Sequence, residues 1–297
     1  MKLYCINRLI ETGEMANQPT IKLLKAACEN QDVEFVELVS DTYDFAHPPR
    51  LNAGDLIYRV ATDSLSRQLE KLLLTMRPTS FYADDRGFWW QDNVVKATAV
   101  HMAYDLPINK TIFGASNDKT QLESAVKELG GFPIVIKVAG GSHGVGVIKV
   151  DSFSSLHSVV DYLRNTTNEQ FVLRQYVEHE AHARIIVLGN KVVDSTEYTS
   201  EQNDFRTNSA KEPSVTAKDF GSEVNQIAIK SVNVLGLEFG GVDIIIDAKG
   251  QAHILEVNFP CFFPRAQRIS GIDIAQHMVL YLKHKASESS QHSNQTN

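Results

Sequence analysis

Near its C-terminal end the chain reads Gly241-Val242-Asp243, three isoleucines, an Asp-Ala-Lys-Gly-Gln segment, and then Ala252-His253-Ile254-Leu255-Glu256-Val257-Asn258. Val242 to Asp247 and His253 to Val257 are β-branched-rich runs separated by a turn signal, so the stretch predicts an antiparallel hairpin. Side chains alternate faces along a strand. Glu256 and Asn258 therefore share a face, and pairing across the hairpin can bring Asp243 beside them. Three oxygen donors with no cysteine or histidine at ligand spacing suit Mg²⁺ or Mn²⁺ better than Zn²⁺. A solvated hairpin end, with Asp and Asn as plain turn residues, is the other reading.

The rest of the chain can supply a large core around such a hairpin. Its 297 residues are 43% hydrophobic and 22% charged, enough apolar material for two or three compact lobes. The opening MKLYCINRLIETGE meets charge within a few positions and no later run nears the ~20 apolar residues of a membrane span, so a cytoplasmic protein without membrane contact is expected. Cys5, Cys28 and Cys261 are odd in number and far apart, which fits buried small hydrophobes rather than a disulfide framework or a zinc pattern. A net charge of −7 argues against sequence-independent nucleic-acid binding.

Strand and helix patterns alternate through residues 1–92: strands at Lys2 to Ile6, Val33 to Leu38 and Asp55 to Val60, helices at Pro19 to Asn30 and Ser64 to Met76. This predicts a small α/β lobe with a parallel sheet. A second lobe follows over 93–174, with helices at Asn93 to Tyr104, Lys119 to Leu129 and Ser154 to Arg164, and strands at Ile134 to Val138, Val145 to Val150 and Phe171 to Leu173. A third lobe, 175–286, carries strands at Arg184 to Val187 and Lys191 to Glu197, the acidic hairpin, and helices at Ser222 to Gly236 and Asp273 to His284. The tail 287–297 is polar and predicts disorder.

Two further segments carry chemistry. In Ile136-Lys137-Val138-Ala139-Gly140-Gly141-Ser142-His143-Gly144-Val145-Gly146 a lysine ends a strand ahead of a glycine-rich turn, an arrangement suited to phosphates: backbone N–H groups can approach closely and the ammonium neutralises charge. It lacks the Gly-Lys-Ser/Thr and following helix of a Walker loop, and an ordinary hairpin turn is the alternative. Asp204-Phe205-Arg206-Thr207-Asn208 sets a guanidinium and an amide two residues apart, suited to a transferring phosphoryl group or an oxyanion, unless Arg206 merely pairs with Asp204.

The ordered set VIKVAGGSHGVGVIKV, LRQYV, ARIIVLGNKVV, DFRTN, GGVDIIID, HILEVNFP and SGIDIA resembles the ATP-grasp superfamily, and within it the RimK-type carboxylate–amine ligases. The resemblance covers about Asp92 to Lys283. It implies an α/β (α+β) protein of ATP-grasp fold, preceded by a pre-ATP-grasp α/β lobe. It also implies an ATP- and Mg²⁺-dependent enzyme that joins small-molecule or peptide carboxylate and amine substrates through an acyl phosphate; assembly as a homo-oligomer stays open. By the same resemblance Lys137 holds the ATP phosphates under a lid that includes Gly141, Ser142 and Gly144. Gln175, Tyr176 and Val177 meet adenine, and Arg184 keeps the arginine of an Asp-x-Arg pattern at the nucleotide. Asp243, Glu256 and Asn258 bind metal, and Arg206 and Asn208 are catalytic. Lys96 is placed as a second nucleotide lysine, with a solvated helix lysine as the alternative.

The departures from the pattern begin at the nucleotide hinge and continue around the acceptor side. The hinge glutamate is Gln175, the first acid of Asp-x-Arg is His182, and the loop after Asn208 is the short Ser209-Ala210-Lys211-Glu212-Pro213. Tyr198 and Thr199 stand where relatives carry arginines for an acidic substrate, which puts glutamate in question. His179 and His182 lack zincin spacing and are expected to be exposed. At least two of Phe259, Phe262 and Phe263 are expected in the core, and Arg265 and Arg268 face either a substrate carboxylate or surface acids. Two other functions remain open: an ATP-binding regulatory module, or a phosphotransferase on the same fold.

Overall fold

The computed structural model describes residues 1–52, 54–90, 93–140, 145–166, 170–199 and 214–295. The N-terminal lobe is built from β1 (Lys2–Asn7), α1 (Gln18–Asn30), β2 (Glu34–Val39), β3 (Leu56–Arg59) and α2 (Ser64–Leu74). Its strands run parallel in the order β2-β1-β3, as the alternation of patterns predicts. The start of α2 is fixed by Asp63, whose carboxylate accepts from the Ser66 N–H at 2.9 Å. A short helix α3 (Arg86–Trp90) and α4 (Val94–Ala103) follow. Asn93 caps α4 through the Val95 N–H at 2.7 Å.

The central sheet is antiparallel, in the order β4-β7-β5-β6, from β4 (Thr111–Phe113), β5 (Ile134–Val138), β6 (Val147–Val150) and β7 (Phe171–Gln175). Helices α5 (Lys119–Glu128) and α6 (Phe153–Thr166) cover one face. Ile134, Ile136, Leu173 and Phe171 point into that covered face with Leu122, Leu156 and Val160, forming a core of their own. Alternation sends Lys137, Val172 and Arg174 to the other face.

The third sheet has the order β10-β9-β8-β11-β12 and is antiparallel throughout: β8 (Ala181–Leu188), β9 (Lys191–Thr199), β10 (Ser214–Ala217), β11 (Phe239–Ile246) and β12 (Ala252–Asn258). It packs with α7 (Gly221–Asn233), α8 (Pro264–Ser270) and α9 (Ile274–Gln295). Its core is continuous with that of the N-terminal lobe. Tyr58 and Phe81 stand edge-on to each other at 5.4 Å, and Phe81 meets Phe239 at 5.1 Å. Ala97 and Val100 of α4 also belong to this joint core, so α4 packs with the outer lobes rather than with the sheet that follows it. Where the sequence predicts a disordered tail from 287, α9 continues as helix to Gln295; its last residue in the joint core is Ala286, and backbone hydrogen bonding carries the polar turns beyond.

Candidate active site

The hairpin forms as the sequence predicts. Asp243 stands directly opposite Glu256, and Gly241 opposite Asn258. On its other side β11 pairs with β8, placing Asp243 opposite Arg184, and Arg184 opposite Thr196 on β9. One row of the sheet therefore reads Glu256, Asp243, Arg184, Thr196 across four strands. The next row reads Asn258, Gly241, Ile186, Asp194. A Cβ at Gly241 would stand 2.5 Å from the Cys261 Sγ, so only glycine leaves room for the chain leaving the hairpin to fold back beside Asp243.

Hydrogen bonds join these side chains. Arg184 donates from Nε to Asp243 Oδ1 at 2.5 Å and from Nη2 to Oδ2 at 2.9 Å, a bidentate pair. Asn258 Nδ2 donates to Asp243 Oδ2 at 3.1 Å and reaches Glu256 Oε1 at 3.4 Å. From the opposite sheet Lys137 Nζ donates to Glu256 Oε2 at 2.6 Å. The predicted phosphate lysine and the predicted metal acids thus meet across the cleft. Burial alone would raise the Asp243 carboxyl, but the Arg184 guanidinium, with His182 beside it, holds it well below the ordinary carboxylate range. Burial pushes the Cys261 thiol up to about 11, which leaves it protonated at neutral pH and unsuited to act as a nucleophile.

Other predicted residues fall differently. Arg184 pairs through Nε and Nη2 with Asp243, so here it is the counter-charge of an acid. Gln175 points away from the Lys137 face: it shares the alternation of Phe171 and Leu173, and its Nε2 lies 3.6 Å from where a Cβ of Gly130 would stand. Tyr176 and Val177 follow β7, with the Tyr176 ring under Lys149 Nζ at 4.8 Å and the Val177 carbonyl 3.5 Å from His179 Nδ1. Lys96 lies half-buried in the first turn of α4. Gly141, Ser142 and Gly144 of the lid, and Arg206 and Asn208, lie outside the described residues. His182, expected at the surface, is only 2% exposed. It shares the face of Arg184 two residues on, which the alternation in Ala181-His182-Ala183-Arg184 could have signalled.

One residue with a positioning role was missed. Arg174 is buried and donates to the Leu255 carbonyl at 3.0 Å, Thr98 Oγ1 at 2.9 Å and Thr111 Oγ1 at 3.3 Å. It ties the central sheet to α4 and to the hairpin strand one residue before Glu256. Burial lowers its pKa to about 10, still charged at neutral pH. An arginine directly after the apolar run Phe171-Val172-Leu173, on the same strand, was its signal.

The donor set suits a hard divalent cation. Glu256 and Asp243 are cross-strand neighbours, and the Asn258 amide already spans both; turning that amide would present Oδ1 in place of Nδ2. Among the described residues no group of three His, Cys, Asp or Glu side chains could hold a metal, which leaves two acids and an amide as the set.

The family model of the RimK-like ATP-grasp domain matches residues 92–282. The chain belongs to the RimK-like ATP-grasp family. Relatives of this RimK-like protein include a probable alpha-L-glutamate ligase of Serratia proteamaculans (strain 568), 32% identical over 188 residues. The ribosomal protein bS6–L-glutamate ligase of Salmonella paratyphi B (strain ATCC BAA-1250 / SPB7) is 29% identical over 184 residues. Each match covers 61% of the RimK-like chain and 59% of the relative, so the chain spans under two thirds of the length of these curated relatives. The D-alanine–D-alanine ligase from Bacillus anthracis superposes with a TM-score of 0.72 at 14% identity, over 99% of both chains. The ATP-grasp ligase PsnB complexed with minimal precursor gives 0.70 at 14% identity, over 95% of this chain and 99% of that one. At such identities the likeness establishes the ATP-grasp fold.

Proposed function

We propose that the chain is an ATP-dependent carboxylate–amine ligase acting on amino-acid or peptide substrates. The observation that carries this reading is the meeting of Lys137 with Glu256 at 2.6 Å, beside the Asp243–Asn258 pair. The end of a glycine-rich strand turn and an acidic hairpin converge on one point between two sheets, where a nucleotide's phosphates and their counter-ion can both be held. The glutamate ligases and peptide-modifying ligase among its relatives and structural neighbours support the same class.

In this reading Lys137 would turn from Glu256 to a phosphate oxygen, and Asp243, Glu256 and Asn258 would hold Mg²⁺ or Mn²⁺. The cation supplies neutralisation of phosphate charge. The substrate carboxylate oxygen attacks the γ-phosphorus and the β–γ bridging bond breaks, with ADP leaving. The amine nitrogen then attacks the acyl carbon, loses a proton, and phosphate leaves with the electron pair of the C–O bond. Phosphoryl transfer needs positioned charge more than covalent participation by the protein, and this chain supplies charge in quantity: Lys137 from one sheet, and Arg184 fixed on Asp243 from the other. Arg206 and Asn208 are assigned the developing charge of the transferring and tetrahedral groups. Gly141, Ser142 and Gly144 are assigned to the lid, and Tyr176 and Val177 to adenine through their backbone. Among the described residues no helix is long and apolar enough to cross a membrane.

The test is phosphate release from ATP and Mg²⁺ against amino acids and short peptides, with products identified by mass spectrometry. Release with one pairing, and a product heavier by the amine less water, is expected. Nucleotide binding without release in any pairing would favour a regulatory module, and a stable phosphorylated product a phosphotransferase.

A further inference from the structure

Strand β3 ends on a charged side chain inside the protein. Arg59 is 0% exposed, and its Nε donates to Glu70 Oε2 of α2 at 2.7 Å. The Tyr82 hydroxyl donates to the same oxygen at 3.0 Å, and Arg59 Nη1 donates to the Ala61 carbonyl. Burial works against the charge on Arg59, and Glu70 beside it more than offsets that, so the guanidinium stays ionised. A buried ion pair of this kind is a poor source of stability. Taking both charges out of water is costly, and apolar side chains of similar volume often serve as well or better. What the pair can supply is a single geometry, because a forked donor and a carboxylate satisfy each other in few arrangements.

That geometry bears on Phe259, the residue that follows Asn258. The Arg59 guanidinium carbon lies 5.9 Å from the centroid of the Phe259 ring, and the rings of Tyr82 and Tyr58 stand edge-on to it at 5.2 and 6.1 Å. Tyr82 is itself held in place. Lys285 donates to its carbonyl at 2.9 Å, the Phe88 ring is 4.4 Å away, and a Cβ on Gly87 would stand 2.5 Å from its Cδ1, so α3 is seated directly on it. Asn258 is the last residue of β12 and pairs with Gly241. The ladder therefore fixes the chain on the near side of Asn258, and the seat of Phe259 fixes it on the far side.

We propose that Arg59, Glu70 and Tyr82 are positioning residues for the metal site: they clamp Phe259, and through one peptide unit they fix where Asn258 presents its amide to Asp243 and Glu256. The N-terminal lobe then acts on the cation through a ring and a strand end. Magnesium demands near-ideal octahedral geometry, so a small displacement of one ligand is felt, whereas calcium accepts irregular shells. The inference rests on Asp243, Glu256 and Asn258 holding the cation, and its test separates the two.

Mn²⁺ binding to the full chain in the presence of a non-hydrolysable ATP analogue is followed by electron paramagnetic resonance of the free ion. Affinity for the analogue without metal, and the melting temperature, are measured beside it. The triple variant Arg59→Met/Glu70→Leu/Tyr82→Phe replaces the whole network by apolar groups and should melt close to the wild type. We expect it to bind Mn²⁺ about tenfold or more weakly, the usual cost of losing the groups that orient a ligand, with metal-free nucleotide affinity within about twofold of the wild type. Ca²⁺, competed against Mn²⁺, should weaken less. Arg59→Lys keeps the charge and loses the planar fork, so it should lose part of the Mn²⁺ affinity. Added to Phe259→Leu it should lose no more, because Arg59 acts through that ring; this pair carries the test should the triple variant not fold. Wild-type Mn²⁺ affinity in the triple variant or in Arg59→Lys, additive effects of Arg59→Lys and Phe259→Leu, or equal losses of Mn²⁺, Ca²⁺ and metal-free nucleotide binding, the mark of a merely structural network, would overturn the inference. A wild type that binds no Mn²⁺ with the nucleotide would remove the metal site and the inference together. Variants that behave as expected in a protein releasing no phosphate in any pairing would leave the positioning role standing and remove the ligase.

Discussion

Asp243 is where charge, burial and chemistry bear on one another most tightly. Its carboxylate is 1% exposed and held by Arg184. Asp243→Asn leaves that guanidinium without its counter-charge, and we expect a loss of about 3 kcal/mol of stability by denaturant titration, together with at least a hundredfold loss of any ATP-dependent turnover. The same pair gives a pH dependence of definite sign. Because the folded carboxyl titrates below its unfolded value, its stabilisation is complete above about pH 4 and is lost as pH falls through the unfolded value toward the folded one. Between pH 5 and 3 the wild-type melting temperature should therefore fall more steeply than that of Asp243→Asn; parallel slopes would contradict the pairing. Gly241 offers a second residue-scale test. Gly241→Ala drives a Cβ into Cys261 and should cost about 1–3 kcal/mol, of which Cys261→Ala in the same chain should return a measurable part in a double-mutant cycle.

Among the elements, those with strong periodicity or paired turn signals were legible in the sequence. The β11–β12 hairpin and α1 are within a few residues of where alternation and helical spacing put them. What escaped was short or set by tertiary contact. β4 is three residues long and exists by pairing with β7. Helix α8 opens with Pro264 immediately after a run of aromatics, and α3 is five residues with no repeat to read. The site divides the same way. Lys137, Glu256, Asp243 and Asn258 were legible because each is a polar residue at a fixed place in a strand pattern. The direction of Gln175 and the commitment of Arg184 to Asp243 depend on which sheet face each strand buries, and only packing decides that. Arg174 shows what such packing does at this scale, since one guanidinium joins β7 to β4, α4 and β12. Arg174→Met would leave the Leu255 carbonyl and two threonine hydroxyls without this donor. We expect a loss of about 2–4 kcal/mol in thermal denaturation, and weaker nucleotide binding because Glu256 is carried by the same strand.

For the whole molecule the decisive fact is that the two outer lobes share one core and the central sheet has another. Lys285 on α9 reinforces the shared body, donating to the Ser80 and Tyr82 carbonyls at 3.0 and 2.9 Å and to Glu238 at 2.5 Å. Lys285→Met should lower the melting of residues 1–90 and 176–286 by several degrees while leaving hydrogen-exchange protection across β5, β6 and β7 unchanged; loss of protection in all three sheets alike would show a single cooperative unit. Lys137–Glu256 links the central sheet to the shared body at the proposed phosphate site. The central claim is that these two residues, one from each body, serve the same nucleotide. Calorimetric titration of ATP with and without Mg²⁺ into the wild type, Lys137→Met and Glu256→Gln tests it directly. We expect Mg²⁺-dependent binding in the wild type, a loss of at least tenfold in affinity in Lys137→Met, and loss of the Mg²⁺ dependence in Glu256→Gln. Wild-type affinity in both variants, or no nucleotide binding by the wild type, would contradict it.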